Sequence, residues 1–504
     1  MNKENPKSFR SLTPPSRIQK KSHESLHPPI EPYQEKPKEP PEASHHHDSR
    51  IHELKSNSSD LTISSSSSFI QSRQAESPAY ARINKRDKTI KKAFKLLFSE
   101  SWVVRNGHFI TYIGLYVFSI LVWFRPYELI PSLGFLSATA FYVALATLFV
   151  FIPSQFFSEG SLTTFPVEVK CVIALMILAI ITMFIGKDFA RSWQSFNDTF
   201  SKAVVIFLIM VNVVRTPRRL FSMLFISLSI AFIVSFIAIN LYLKGEFKVE
   251  GYRVGLDIGG MFGNPNDMAL HLVTMIPIVF CLMLVAKNLL IRLFFLGLMI
   301  LFICAMMVTF SRGAFLAFLI SSAVIAWKLG RKNRLKIITT FAVGSIFLML
   351  LAPGNYLLRL FSIFIPQLDP VGSVDQRRGL FLRSIYVTLR NPWGIGLGNS
   401  RIMNDYNLEW HNAYMQIASE LGIVALVIYL IFLISPLKRL AAIEKIQENE
   451  VDWFYYLSVG LQASLVAYMV GSFFASVAYN WYAYYLVAYA VALRRIYHIQ
   501  RLAQ

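Results

Sequence analysis

Apolar residues fall in long blocks from about residue 108 to the C-terminus, separated by short charged segments. Blocks of about 17–25 apolar residues are long enough to cross a hydrocarbon core roughly 30 Å thick as helices. The pattern therefore predicts an all-α polytopic membrane protein with about twelve transmembrane helices. The predicted spans are 108–124, 134–153, 166–186, 198–214, 220–243, 267–286, 293–310, 313–328, 337–353, 411–436, 453–477 and 480–496.

Residues 1–100 have a different composition, rich in Ser, Pro, Lys, Glu and His. Such a segment cannot bury enough apolar surface to offset the entropy of ordering, so it is predicted to be a disordered polar cytoplasmic tail. It precedes a transmembrane domain over residues 101–504. A histidine run at residues 45–47 is interpreted as incidental, and no metal site is assigned to the chain.

The chain is 54% hydrophobic and 16% charged, and its formal net charge is +20. In a soluble protein this charge would suggest a nucleic-acid partner. Here many basic residues lie in the connections between predicted spans, so membrane lipids are the expected partners and nucleic acid is not. With a cytoplasmic N-terminus, the short basic connections lie in the cytoplasm, as positive-inside bias requires. Both termini are then cytoplasmic.

One connection is much longer than the others, the predicted extracytoplasmic loop 354–410 between the ninth and tenth spans. Long loops are translocated largely regardless of charge, so its arginines do not contradict the topology. A basic surface on the outer side indicates an anionic ligand. The arginines of this loop are Arg359, Arg377, Arg378, Arg383, Arg390 and Arg401.

Two candidate clusters precede the sixth and eighth spans on the same predicted side. The first contains Arg253, Asn264 and Asn266, and Asn266 is expected to cap the sixth span. The second contains Ser311, the expected cap of the eighth span, and Arg312. A guanidinium at a helix N-terminus adds its charge to backbone N–H groups that already favour anions. The alternatives are a plain turn at the first cluster and an arginine reaching for lipid headgroups at the second.

A third cluster lies in the long loop. Residues 375–379 include the pair Arg377 and Arg378, which can make bidentate contacts with phosphate oxygens. Residues 394–398 carry three glycines that allow the backbone to approach a ligand or another helix closely. A nucleotide-binding interpretation is rejected because no βαβ unit surrounds them. The alternative is a solvated loop surface.

The fourth cluster, at the predicted start of the tenth span, contains His411, Asn412 and Tyr414. A neutral histidine can take a proton from a hydroxyl, and a helix N-terminus lowers its pKa. An ordinary interfacial histidine is the alternative. Tyr414 is expected on the same helix face as His411. Glu420 is nine residues further on, about 180° around the helix, and is interpreted as a helix-packing or loop-orienting partner.

These clusters, in this order, resemble the O-antigen ligase and polymerase superfamily of bacterial membrane glycosyltransferases over residues 108–495. The resemblance implies a glycan donor linked to undecaprenyl pyrophosphate at the outer leaflet, with no metal and no nucleotide cofactor. It gives the donor pyrophosphate to Arg312 and Arg378, with Arg377 as the other member of the pair. Arg253 fits a further donor contact, and His411 takes the role of the base.

The favoured function is that of an O-antigen ligase, which transfers glycan to a lipid A–core hydroxyl at the periplasmic face of the inner membrane. The single large outer loop ending in His-Asn favours it. An O-antigen polymerase and a protein O-oligosaccharyltransferase are alternatives. Two further alternatives, from other classes, are a transporter of small anions such as bicarbonate and a scaffold that recruits partners through its tail.

Overall fold

The structure is a computed structural model of the full chain, and it covers most of the apolar region. The predicted tail and the predicted ninth span, 337–353, lie almost entirely outside the described residues. The residues that the structure describes are 102–124, 132–133, 139–160, 163–247, 249–256, 262–330, 339, 361 and 373–503.

Within these residues the structure is helical, apart from a single bridge between Val249 and Arg253. A π-helical turn, Phe196–Phe200, joins the fourth and fifth helices. The α-helices, numbered in chain order, are α1 (Trp102–Phe124), α2 (Thr139–Glu159), α3 (Val167–Ile185), α4 (Phe189–Ser195), α5 (Ser201–Val213), α6 (Pro217–Leu243), α7 (Pro265–Val285), α8 (Leu289–Val308), α9 (Arg312–Leu329), α10 (Ser373–Arg390), α11 (Ala413–Glu420), α12 (Ile423–Ile446), α13 (Trp453–Gly471) and α14 (Trp481–Ala503).

Nine helical segments of the described chain are long and apolar enough to cross a membrane. They lie at the second to eighth, tenth and eleventh predicted spans, so the all-helical membrane class is confirmed. The first predicted span corresponds to a shorter apolar stretch, His108–Phe124. The last predicted span lies within α14, which is helical but is not among those nine segments.

One predicted span in the C-terminal half was wrong. The predicted tenth span, 411–436, is two helices, because the chain turns at Leu421 and Gly422 between α11 and α12. Gly422 has φ of +94°, a conformation that residues with a Cβ rarely adopt. The predicted loop 354–410 contains the 18-residue helix α10.

The core forms where α13 packs against α7, α9 and α12. Gly460 of α13 allows a close approach: a Cβ on this residue would lie 3.1 Å from the Cys281 side chain and 3.2 Å from the Pro277 carbonyl oxygen of α7. Beside this packing, α14 buries a series of tyrosines. The tyrosine rings pack inside the bundle, and hydroxyls among them make hydrogen bonds to neighbouring helices. The Tyr489 hydroxyl, for example, is 2.8 Å from the Ser227 hydroxyl of α6.

The helix ends divide into two groups. At one end, ion pairs join Glu168 to Arg494 (3.1 Å) and Lys328 to Glu444 (2.6 Å). At the other end lie the candidate clusters, in a set of connections that contact one another; we call this end the site face. It comprises residues 186–188, 249–256, 262–266, 309–312, 391–412 and 472–480.

Candidate functional site

The first two clusters meet around a buried arginine. Arg253 is 2% exposed, and its guanidinium donates to the Thr309 carbonyl oxygen (2.9 Å) and to Asn266 Oδ1 (2.8 Å). It also pairs with Glu250 at 3.3 Å. The Ser311 hydroxyl donates to the same Asn266 oxygen (3.1 Å). Arg253 therefore ties the start of α7 to the start of α9, and its role as a donor contact stays a prediction.

The helix caps differ in part from the expectation. Ser311 caps α9 as predicted, its hydroxyl accepting from the Ala314 N–H (3.4 Å). The cap of α7 is Asn264, which accepts from the Asn266 N–H (2.9 Å), and not Asn266. The helix begins two residues earlier because Pro265 has no N–H and a φ already suited to the first helical position. Asn266 is thereby freed to join Arg253 and Ser311.

We expect Arg253→Gln to lower the free energy of unfolding by about 1–3 kcal/mol, because glutamine leaves buried acceptors without their donor. Thermal unfolding in detergent would measure the change. Arg218→Gln, at an exposed position on α6, is the matched control and should leave the unfolding temperature unchanged. Equal stability of the two variants would contradict the role of Arg253 in tying the start of α7 to the start of α9.

The other clusters meet at the turn between α13 and α14. Gly313, next to Arg312, packs against Phe474, whose Cβ would be 2.7 Å from a Cβ at position 313. The ring of Phe473 lies 5.9 Å from that of Phe381 on α10 and 6.4 Å from that of Tyr414. We call residues 472–476 the central turn. Because of it, Arg312, α10 and α11 lie around one point.

His411 lies at this point but outside any helix. Its backbone has φ of +52°, and its N–H donates to Ser476 Oγ of the central turn (2.8 Å). The predicted placement in the tenth span, and the helix-face argument that related it to Tyr414 and Glu420, were therefore wrong. Burial and, to a smaller extent, the charge of Arg377 on α10 together lower the pKa of His411 to about 4. The imidazole is neutral at pH 7 and able to accept a proton.

Asn412 and Tyr414 hold the segment around His411. The Asn412 side chain caps α11, accepting from the N–H groups of Tyr414 and Met415 (both 3.0 Å). The Tyr414 hydroxyl donates to the Met469 carbonyl oxygen of α13 (2.6 Å). Capping at position 412 fixes where the helix starts, so it also fixes His411 just outside it.

The two arginines of α10 have different surroundings. Arg377 is half-buried and interacts electrostatically with His411, whereas Arg378 is exposed. Arg312, the first residue of α9, is also half-buried. Their guanidiniums add positive charge near two helix N-termini, an arrangement that attracts anions. Which of the α10 pair contacts a donor stays a prediction.

Glu420 ends α11 and is completely buried. Its carboxyl oxygens accept from the backbone N–H groups of Gly398 (2.9 Å) and Ser400 (3.3 Å). Burial raises the pKa of this carboxyl to about 7, while those hydrogen bonds act in the opposite direction. Glu420 therefore holds the end of the glycine segment 394–398 against α11.

The glycines of this segment have the conformational freedom that the sequence indicated. Gly394 and Gly396 have φ of +97° and +93°. Their neighbours pair with the end of α11: the Ile395 N–H donates to the Ser419 carbonyl oxygen (2.9 Å), and the Gly396 N–H donates to that of Glu420 (3.0 Å). The expectation of close backbone packing is confirmed.

A polar cavity of about 570 Å³ opens beside the central turn. Ser476 and Glu420 line it, together with residues of α4 and the π-helical turn. An apolar groove of about 380 Å³ between α1, α2 and α5 adjoins it, because both are lined by Asp198, Thr199 and Asn480. Polar and apolar surfaces thus meet on the site face.

Sequence reasoning missed the central turn and the cavity. Ser476 lay inside the predicted eleventh span, and Tyr479 was read as a connection. Asp198 was placed at the start of a span, although an aspartate there was itself a polar signal. These residues are distant in sequence from the motifs, so only the fold brings them together.

The fold and the site define a polytopic helical membrane protein with a basic, histidine-bearing site at one end of its helices. Residues 297–430 match the model of a family described as O-antigen ligase. This match supports the resemblance to the O-antigen ligase superfamily that the motifs indicated, and that family implies glycosyltransferase-like activity in general. No curated protein matches the sequence.

Proposed function

We propose that the chain is an O-antigen ligase, transferring glycan from undecaprenyl pyrophosphate to a lipid A–core hydroxyl. The observation that carries the proposal is the meeting of Arg312, Arg377 and a neutral His411 around the central turn, with Arg378 one residue along the same helix. Arg312, Arg377 and His411 lie on three different segments of the matched region. Their meeting therefore depends on the fold and not on closeness in sequence, which supports a shared role.

The proposed chemistry follows from the charges. The donor is a diphosphate ester of an anomeric carbon, and negative charge builds on the diphosphate as the bond to that carbon breaks. Fixed guanidiniums stabilise this charge more in the transition state than in the ground state. Arg312 and the α10 pair are assigned this role.

The acceptor hydroxyl attacks the anomeric carbon from the side opposite the leaving group. A new C–O bond forms, the bond to the diphosphate oxygen breaks, and undecaprenyl pyrophosphate leaves with the electron pair. His411 takes the hydroxyl proton. A single displacement inverts the configuration at the anomeric carbon, as no carboxylate nucleophile is assigned.

The proposed location is the inner membrane, with both termini cytoplasmic and the site face towards the periplasm. Basic residues at the opposite face support this orientation, since positive charge concentrates on the cytoplasmic side. Examples are Arg218 at the start of α6, Lys287 between α7 and α8, and Arg439 in the second half of α12. The apolar groove beside the polar cavity supports substrates that carry hydrocarbon chains.

Two alternatives keep the same chemistry: an O-antigen polymerase and a protein O-oligosaccharyltransferase. Transport of small anions is the rival from another class. A transporter binds its ion near the bilayer midplane on interrupted helices. The arginines here lie at helix starts, at Arg312 and in the first turns of α10, which favours chemistry at the interface.

Deleting the gene in its host and complementing it with the wild-type gene would test the proposal. For a ligase, the deletion should remove the glycan ladder from lipid A–core while long lipid-linked polymer accumulates. Lipid A–core capped with one repeat would identify a polymerase instead. No change in either pool would exclude both and favour a protein acceptor or anion transport.

The pH dependence of transfer should report the pKa of His411. With a pKa of about 4, kcat/KM should fall only as the pH drops towards 4, because protonation removes the base. Arg377→Gln removes one of the two causes, so the acid limb should move up towards 6.5 without reaching it, since burial remains. Rate profiles from pH 4 to 8 would measure this. Arg390→Gln, exposed on the same helix, should leave the limb in place.

A further inference from the structure

The polar cavity is separate from the arginine cluster. Its walls come from α4, the π-helical turn, the glycine segment and the connection before α14. Neither Arg312 nor the Arg377–Arg378 pair is among its lining residues. At about 570 Å³ it is within the roughly 300–1,000 Å³ typical of small-molecule pockets.

The charges in the cavity disfavour a diphosphate. Arg191 faces Asp188 at 3.8 Å, and Arg401 pairs with Glu409 at 2.7 Å, so both arginines of the lining are opposite carboxylates. Two further acidic side chains, Asp198 and Glu420, also line it. An excess of carboxyl groups repels phosphate oxygens and accepts hydrogen bonds from hydroxyl groups.

A buried hydroxyl lies in the cavity wall. Tyr479 is only 7% exposed, and its hydroxyl lies beside the Glu420 carboxyl, which interacts with it by charge and by a side-chain hydrogen bond. A phenol that donates its proton to a carboxyl group still accepts hydrogen bonds at its oxygen. This oxygen adds an acceptor for sugar hydroxyls that differs from the carboxylates of the lining.

We propose that this cavity is a sugar-binding subsite that holds hydroxyl-bearing units of the glycan beside the transfer site, with Asp198 and Tyr479 bonding to sugar hydroxyls. The inference rests on the proposed transfer of glycan and adds the place where the sugar is recognised. Glycan of the donor and glycan of the acceptor share this chemistry.

The position of the cavity suits this role. Ser476 lines it and also accepts the hydrogen bond from the His411 N–H (2.8 Å), so sugar bound there lies next to the proposed base. Glu420 lines it while holding Gly398 and Ser400. Recognition of sugar and the geometry around His411 therefore share the same backbone segments.

Binding of free oligosaccharides to the full chain in nanodiscs would test the proposal. Two probes distinguish the sources: oligosaccharide released by mild acid from the lipid-linked pool of the host, and core oligosaccharide from its delipidated lipopolysaccharide. Calorimetric titration should detect one of them with wild type. Asp198→Asn should weaken that binding about tenfold, since a hydrogen bond to a charged acceptor is lost, and Tyr479→Phe should weaken it by a smaller factor.

Asp405→Asn is the matched control, because Asp405 is exposed on the site face outside the cavity, and it should bind as wild type does. Binding of neither probe to wild type, or equal affinities of wild type and Asp198→Asn, would overturn the subsite. The two hypotheses fail differently. If the wild type transfers glycan and Asp198→Asn does so with the same KM, only the subsite is rejected. If the wild type transfers no glycan, the proposed function is rejected.

Discussion

Replacing His411 by alanine should reduce the rate of glycan transfer by about 10²–10⁴-fold, the range expected for loss of a general base. The effect should appear in kcat, because the imidazole takes its proton only as the acceptor hydroxyl attacks. Donor KM should change little, since the diphosphate is assigned to arginines. Transfer by purified protein, with lipid-linked donor and lipid A–core acceptor, would measure both constants.

The matched control is His498→Ala, at an exposed histidine near the end of α14, away from the site face. It should transfer glycan at the wild-type rate. The His411 backbone has φ of +52°, a left-handed conformation that alanine rarely adopts. Asparagine adopts it more readily, so His411→Asn is a second variant that removes the imidazole with less backbone strain. Wild-type kcat in His411→Asn would exclude the histidine as the base.

Among the glycine-to-alanine substitutions in the segment 394–398, Gly394→Ala should lower the free energy of unfolding most. A Cβ there would lie 2.5 Å from the Glu420 carbonyl oxygen, a separation that Cβ atoms essentially never show. The atoms nearest to this Cβ are all backbone atoms, of Glu420 and Leu421, and they cannot rotate away as a side chain could. The φ of +97° at Gly394 adds backbone strain. We expect a loss of about 2–4 kcal/mol in unfolding free energy, from backbone strain and displaced packing.

Gly379→Ala is the control, since its Cβ would meet no atom within 4 Å and the residue lies in α10. Alanine there should stabilise the helix by about 0.5–1 kcal/mol. Thermal unfolding of both variants in detergent, with proteolysis of the 391–412 segment, would measure the difference. Equal stability of the two variants would show that the glycine segment is free to move away from α11.

The sequence was informative about the helices because their signal is local. Runs of apolar residues and caps such as Ser311 identified most of the spans to within a few residues. The start of α12 was missed because the apolar pattern runs through Gly422, and only its φ shows the turn. Helix α10 was missed because its four arginines, at positions 377, 378, 383 and 390, keep it out of the long apolar blocks that marked the other helices.

The candidate site divides in the same way. The residue types of the four clusters were visible in the sequence, and so was the need for glycine near position 396. The partner of each residue was not visible, because contacts such as that of Arg253 with Thr309 join segments 56 residues apart. The lowered pKa of His411 was expected from a helix dipole, but its main cause is burial, which depends on the whole fold.

The central turn has a consequence for exchanging parts between relatives. The matched region, 297–430, carries Arg312, the α10 arginines and His411. It ends before the central turn between α13 and α14, which supplies Phe474 and Ser476. A chimera that received only this region would place foreign motifs around a native turn. Compatible exchange therefore requires the last two helices to travel with the motifs, which makes residues 297–503 the smallest portable unit of this half of the site.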